Sequence, residues 1–153
     1  MSDIEIAQHA TMRPIIALAI EQFLLSEPLA VRSENRIWVS HSLPGNRQID
    51  KFDPGILDRQ IEISDVTRAG SAYIMTWGRD QSQKTLDKMA GLFDVDTFIL
   101  GHQPQPEGFS MAGRNLIIIA SDHSHGCLLP IDTAKSYTLA ELLNSIVPMA
   151  SIP

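Results

Sequence analysis

Two histidines follow apolar runs that are typical of short β-strands. His41 follows the run 36–40 and opens a loop with a Pro-Gly pair, and His102 comes one residue after the run 97–100 and opens a loop with two prolines. Strand ends that feed such loops are where α/β sheets present ligands, and a neutral imidazole is a common metal ligand. The pair therefore predicts a metal site. The alternative is that each histidine only hydrogen-bonds a carbonyl of its own loop.

A second pair of histidines, His123 and His125, lies in the turn 121–126, which reads Ser-Asp-His-Ser-His-Gly. At this spacing both side chains can face one side of an extended turn, and Asp122 is placed to orient an imidazole as metal-site carboxylates do. The alternative is a polar hairpin turn whose side chains contact only water.

Arg79 follows Trp77-Gly78 and precedes a predicted helix. A guanidinium beside a helix N-terminus binds anions well, because its N–H groups and the helix dipole act together. The alternative is a solvated arginine that pairs with Asp80 or Asp87. The chain has no Walker loop, G-x-G-x-x-G, G-x-S-x-G or C-x-x-C motif, so the chemistry of those sites is excluded.

The elements that position these residues follow from periodicity, turn residues and caps. We predict a mixed α/β or α+β layered fold as one domain over residues 1–153. The run 73–77 fits a strand or a helical turn. The other predicted elements are a helix from an N-cap at Thr11, with Pro14 near its start, to Pro28, a hairpin of strands 29–32 and 36–40, an irregular stretch 42–72, a helix 80–93, strands 97–100, 115–120 and 127–131, and a helix from a capping box at Thr138 through Val147.

Composition and charge limit the class of protein. A chain of 153 residues with 44% apolar and 20% charged residues has the size and composition of one globular domain. Its net charge of −6 argues against nucleic acid as a partner. The single cysteine, Cys127, cannot form an internal disulfide, which suits a reducing compartment. Residues 1–12 lack the basic start of a signal peptide, and the apolar run 14–20 is shorter than the roughly 20 residues of a membrane span. We expect a cytoplasmic protein without a membrane segment.

Several of these segments resemble those of calcineurin-like metallophosphoesterases, the superfamily of serine/threonine phosphatases. Residues 37–45, I-W-V-S-H-S-L-P-G, resemble the strand–His–Pro element of that superfamily, and residues 98–104, F-I-L-G-H-Q-P, resemble its later G-H element. The segment 77–79 resembles a W-x-R segment between them, and 115–131 resembles the closing strand–turn–strand. The resemblance spans about residues 12–135 and implies an α/β fold, the C-terminal half of a four-layer α/β/β/α sandwich.

The resemblance also implies roles for individual residues. His41 and His102 would ligate the same metal ion (Mn, Fe or Zn), Arg79 would hold phosphate oxygens, and Asp122, His123 and His125 would be possible accessory residues above the pocket. In the superfamily two metal ions activate a water for attack on phosphorus. The motifs D-x-H, G-D-x-x-D-R-G and G-N-H-[DE], which supply the other ligands and the acid histidine, are absent from this sequence. No catalytic residue is therefore assigned.

Two functions remain open from the sequence. The leading expectation is that the chain is the C-terminal part of a di-metal phosphatase for a phosphorylated substrate, incomplete and inactive without the missing N-terminal half. The alternative is a non-catalytic remnant domain that binds a partner or a second copy of itself. Half a sandwich would leave a sheet edge and an apolar layer uncovered, and such surfaces favour self-association. We therefore also expect a homo-oligomer.

Overall fold

The computed structural model describes residues 15–152, so the predicted N-cap Thr11 and the Pro14 near it lie outside the described residues. Within this range the chain forms five α-helices and seven short strands. The helices are α1 Ile15–Ser26, α2 Ile63–Val66, α3 Ser71–Trp77, α4 Gln83–Phe93 and α5 Leu139–Asn144, and the strands are β1 Ala30–Arg32, β2 Ile37–Ser40, β3 Thr97–Leu100, β4 Phe109–Ala112, β5 Leu116–Ile119, β6 Cys127–Leu128 and β7 Val147–Pro148. Short 3-10 helices cover Pro54–Asp58 and Met149–Ser151.

Five strands form one mixed sheet in the order β1-β2-β3-β5-β4, and β6 and β7 form a separate antiparallel pair. The central strands β2, β3 and β5 are parallel, whereas β1 and β4 pair antiparallel at the two edges. The carboxyl ends of the three parallel strands therefore meet at one end of the sheet. His41, His102 and the segment 120–122 follow these ends in the sequence.

One face of the sheet packs against the helices. Successive side chains of a strand point to opposite faces, and Trp38, Phe98 and Leu116 lie on this face in the main core. The same core includes Leu86 and Met89 from one side of α4, with the spacing of an amphipathic helix. The other buried members of this core are Leu43, Phe52, Ile56, Ile61, Ala72, Ile74, Met75, Phe93, Val95, Leu100 and Ile118.

The opposite face is covered by residues that follow β6. Ile37, Ile99 and Ile117 are buried there with Leu142 of α5, and partly buried side chains between 129 and 146 complete this second core. The molecule thus has helices and loops on both faces of its main sheet, a mixed α/β arrangement as predicted. The apolar layer that we expected to be uncovered is covered here by the chain itself. Val31 and Val39, at the β1 edge, remain 58% and 39% exposed.

The predicted elements differ from the structure in four places. The irregular stretch 42–72 contains the short helix α2, whereas the run 73–77 takes the helical one of its two predicted forms, within α3. β4 was not predicted. It pairs antiparallel with β5 in the place of 127–131. A three-residue turn joins β4 to β5, and Gly113 in this turn has φ 58°. Only Cys127–Leu128 of the predicted strand forms, and it pairs with β7. The last helix consequently ends at Asn144, and Val147 is in a strand.

The remaining predicted elements agree closely with the structure. The hairpin of β1 and β2, the strand 97–100 and the strand within 115–120 all form, and the capping box at Thr138 has both of its hydrogen bonds. No helix within residues 15–152 is long and apolar enough to cross a bilayer.

Candidate functional site

The structure brings His41, His102 and Arg79 together at the carboxyl ends of β2 and β3. His41 Nε2 lies 2.8 Å from His102 Nδ1, and Arg79 Nε donates a hydrogen bond of 2.9 Å to His102 Nε2. These contacts form one chain of hydrogen bonds across three segments that are far apart in the sequence. The two histidines converge as expected, and neither is bound to a carbonyl of its own loop.

The protonation of this chain follows from its donors and acceptors. An arginine stays protonated and can only donate, so His102 Nε2 must be the acceptor and carries no proton. A neutral His102 then has its proton on Nδ1, from which it donates to His41 Nε2. His41 in turn carries its proton on Nδ1. A doubly protonated His102 would have no acceptor for Arg79, so this arrangement requires a neutral imidazole.

His102 is held in this neutral form by its surroundings and in an unusual backbone conformation. Partial burial, together with the nearby His41 and Arg79, lowers the pKa of its imidazole below the usual value. Its φ of 66° is in the left-handed region, which is uncommon for any residue except glycine. Conformations of this kind cluster at functional sites. Here it follows Gly101, whose N–H donates to the carbonyl of His41 at 3.2 Å and joins the two loops.

Close packing between two loops fixes Arg79 relative to His41. A Cβ on Gly78 would lie 1.8 Å from the carbonyl oxygen of Leu43, so only glycine permits this approach. The buried hydroxyl of Ser42 donates to the carbonyl of Gly78, and Gln81 Nε2 donates to that of Leu43 at 2.9 Å. The loop after β2 and the loop after α3 are therefore one packed unit, and Arg79 has a defined position.

A cleft of about 350 Å³ lies beside the histidine pair, at the carboxyl ends of β2, β3 and β5. It is lined by His41, Gly101, His102, Gln103, Pro104, Ile119, Ala120, Ser121 and Asp122. Asp122, one of the predicted accessory residues, therefore borders the same space as the pair. A larger cavity of about 830 Å³ lies elsewhere, between the end of α1, the Pro54–Asp58 turn and the end of α4, and no histidine lines it.

His123, the second predicted accessory residue, is hydrogen-bonded elsewhere, and the ring of His125, the third, lies 6.3 Å from that of His123. His123 Nε2 lies 2.9 Å from the carbonyl oxygen of Gln105, and His123 Nδ1 accepts from the backbone N–H of His125. Both ring nitrogens of His123 thus bond backbone atoms around the turn, and the alternative of a hairpin turn whose side chains contact only water does not describe His123. Neither histidine lines the cleft of His41 and His102.

Arg79 has a different partner from the two aspartates considered in the sequence. Within residues 15–152 it forms no ion pair with Asp80 or Asp87, and Asp87 pairs with Arg114 instead.

The structure also places Trp77 at the site. The centroid of its ring lies 5.4 Å from that of His102, and the two rings are nearly perpendicular. Its place two residues before Arg79 was the only sequence signal for this contact.

The donor set fits a metal ion in part. Two nitrogens bound to one zinc at about 2.0–2.1 Å in tetrahedral geometry lie about 3.3 Å apart, so the pair at 2.8 Å needs to open by only about half an ångström. Among the described residues no group of three or more potential ligands converges. These residues therefore supply two imidazoles, with the carboxylate of Asp122 on the border of the cleft.

Comparisons with known proteins give no assignment: no family model and no curated protein matches this chain.

Proposed function

We propose that this chain forms part of a metal-dependent phosphoester hydrolase centre of the calcineurin-like type. In this proposal His41 and His102 hold one metal ion, Arg79 binds phosphate oxygens, and the sheet corresponds to the C-terminal half of the four-layer sandwich. The observation that supports it best is the hydrogen-bonded chain from Arg79 through His102 to His41, at the end of the parallel strands where α/β sheets bind ligands.

Arg79 has the properties of an anion-binding residue. No carboxylate pairs with it among residues 15–152, and only its Nε is engaged by a side chain, so both Nη groups can bind oxygen. Arginine binds phosphate with two parallel hydrogen bonds, which orient the anion as well as attract it. A metal ion at the histidines would neutralise phosphoryl charge and activate water.

The hydrogen bonds of the histidine pair connect the two binding events. If His102 uses Nδ1 to hold a metal ion, a neutral ring must move its proton to Nε2. Nε2 then has no lone pair for Arg79, and the guanidinium loses its acceptor. Arg79 can then turn its N–H groups to a phosphate bound beside the two histidines, so metal binding and anion binding favour each other.

The remaining parts of such a centre are proposed to come from a segment that carries the D-x-H, G-D-x-x-D-R-G and G-N-H motifs. Without their carboxylates and acid histidine, we expect the chain alone to show no enzyme-like turnover of p-nitrophenyl phosphate with added manganese. Robust turnover by the pure chain, abolished by His102→Ala, would show that the chain has a complete centre.

Calorimetry with Zn²⁺ and inorganic phosphate tests the binding roles directly. We expect one zinc ion per chain, loss of zinc binding in His41→Ala and in His102→Ala, and phosphate binding that needs both zinc and Arg79. His123→Ala is the matched control and should bind zinc normally. Zinc binding that is unchanged in both His41→Ala and His102→Ala contradicts the proposal.

The second proposal, a self-association module, has support from one feature. Val31 and Val39 face each other across β1 and β2 and are exposed on the sheet face that the 129–146 segment covers elsewhere. A stable obligate interface generally buries about 2,000 Å² or more, which is much more than this pair of side chains provides. Light scattering at tens of micromolar tests it: a dimer that Val39→Lys dissociates supports the module, and a monomer contradicts it.

A further inference from the structure

Trp77 is exposed beside the proposed phosphate site although it is among the largest apolar side chains of the chain. Its side chain is 53% exposed, whereas Trp38, the other tryptophan, is 3% exposed in the core. No described residue accepts a hydrogen bond from its indole N–H. An aromatic ring with an apolar face and an unused donor is the type of side chain that recognises ligands at surfaces.

The position of Trp77 is fixed by the protein around it. It is the last residue of α3, whose Ala72, Ile74 and Met75 are buried in the main core, and the next residue is the tightly packed Gly78. Its ring also contacts Tyr73 at 6.1 Å between centroids, with the planes tilted by 34°. The backbone at Trp77 is therefore fixed, and the contacts with Tyr73 and His102 limit the positions of the indole, which reduces the entropy lost on binding.

The ring is also within reach of anything bound by Arg79. Arg79 and Trp77 contact the same imidazole: the guanidinium donates to His102 Nε2 at 2.9 Å, and the indole centroid lies 5.4 Å from the imidazole centroid. A phosphate on Arg79 thus lies next to His102, and a group attached to that phosphate through a few bonds can reach the indole. A planar aromatic group would gain a stacking contact there, whereas an alkyl group would gain only a smaller apolar contact.

We propose that the site binds phosphoesters whose alcohol component carries a planar aromatic ring, an aryl or nucleoside phosphate, and that Trp77 stacks on this ring. The inference rests on the proposed function, because Trp77 can contact the attached group only if Arg79 binds the phosphate. Trp77 is in this view a specificity residue rather than a catalytic one. Stacking of this kind typically increases affinity about 5- to 160-fold.

Calorimetry on the zinc-loaded chain tests this inference with four probes: inorganic phosphate, glycerol 2-phosphate, phenyl phosphate and adenosine 5′-monophosphate. We expect the two aromatic phosphates to bind about 5- to 160-fold more tightly than glycerol 2-phosphate. Trp77→Ala should remove this preference while inorganic phosphate still binds, and Trp77→Phe should keep part of the preference. Phe23→Ala, which removes an exposed aromatic side chain of α1, should change nothing.

The four probes separate the failure of this inference from that of the proposed function. If phosphate binds through Arg79 but the aromatic probes show no advantage, or one that survives in Trp77→Ala, the Trp77 inference is wrong and the proposed function stands. If no probe binds, both are wrong. If only adenosine 5′-monophosphate binds more tightly than glycerol 2-phosphate, the ligands of the site are nucleoside phosphates. If phenyl phosphate binds equally tightly, the ligands include aryl phosphates in general. Either result supports the inference.

Discussion

Replacing Arg79 by alanine should increase the affinity of the histidine pair for zinc. The hydrogen bond from Arg79 Nε to His102 Nε2, 2.9 Å long, favours the form of His102 with its proton on Nδ1. That proton lies between His102 and His41, in the place that a shared metal ion would take. A metal ion must therefore displace the proton and break the Arg79 hydrogen bond. Without Arg79 this competition is weaker.

The expected size of the effect follows from one hydrogen bond. Such a bond contributes about 0.5–1.5 kcal/mol net, which corresponds to about 2- to 13-fold in an equilibrium constant. Removing the positive charge of Arg79 acts in the same direction, since it repels a cation at the neighbouring histidines. We expect the zinc dissociation constant to fall by at least about 2-fold and phosphate binding to be lost in the same variant.

Zinc titration of Arg79→Ala by calorimetry or competition with a chelating dye measures this effect. Arg114→Ala is the matched control, because it removes the same charge from a residue that pairs with Asp87 on α4, away from the histidines. It should leave zinc affinity unchanged. A zinc affinity that falls in Arg79→Ala would refute the reasoning, since it would mean that Arg79 supports the metal-binding form of His102.

Three further predictions concern the residues that shape the site and its support. Because His102 has a positive φ, which glycine adopts more easily than alanine, His102→Gly should be about 0.5–1 kcal/mol more stable than His102→Ala in urea unfolding. Both variants should lose zinc binding. Equal stability of the two variants would argue against this backbone conformation. Gly78→Ala should be destabilised by about 1–3 kcal/mol, because its Cβ would meet the carbonyl of Leu43; a wild-type melting temperature contradicts that packing. The Arg59 guanidinium, with the N–H of Glu62, lowers the pKa of Asp65 from 3.8 to about 2, so its stabilising effect is present above pH 3.8 and is lost as the pH falls through 2. Asp65→Asn should thus lose about 1–2 kcal/mol at pH 7, and acidification from pH 5 to 2 should cost it less stability than wild type.

The convergence of His41 and His102 could be predicted from the sequence because it depends on a general property of sheets. Parallel strands place their carboxyl ends at the same edge, so residues after two neighbouring strands lie close together whatever the loops do. β3 and the part of 115–120 that forms β5 are strongly apolar and buried on both faces, which makes such strands easy to recognise.

The details of the site depend on contacts that local patterns do not encode. His123 is turned to the carbonyl of Gln105, a backbone group of another loop, and nothing in the turn sequence indicates that partner. Arg79 bonds an imidazole rather than a carboxylate, because the packing of Gly78 on Leu43 sets its direction.

The missed strands have a similar physical explanation. β4 is an edge strand of four residues with no buried member, so its sequence lacks the apolar run of a core strand. β6 and β7 are two residues long, and each forms only because the other is present at a distance along the chain. Secondary structure of this kind is determined by tertiary contacts and not by local propensity.

The central claim, that His41 and His102 share one metal ion, is tested most directly by NMR of the histidine ring nitrogens during a zinc titration. The chain has five histidines, so their long-range ¹H–¹⁵N patterns can be assigned with single His→Ala variants. Without metal, we predict a proton on Nδ1 and none on Nε2 in both His41 and His102. One equivalent of Zn²⁺ should convert His41 Nε2 and His102 Nδ1 together into ligated nitrogens and move the proton of His102 to Nε2. Separate titration of the two rings, or ligation at His123 or His125 while they remain unchanged, would contradict the claim.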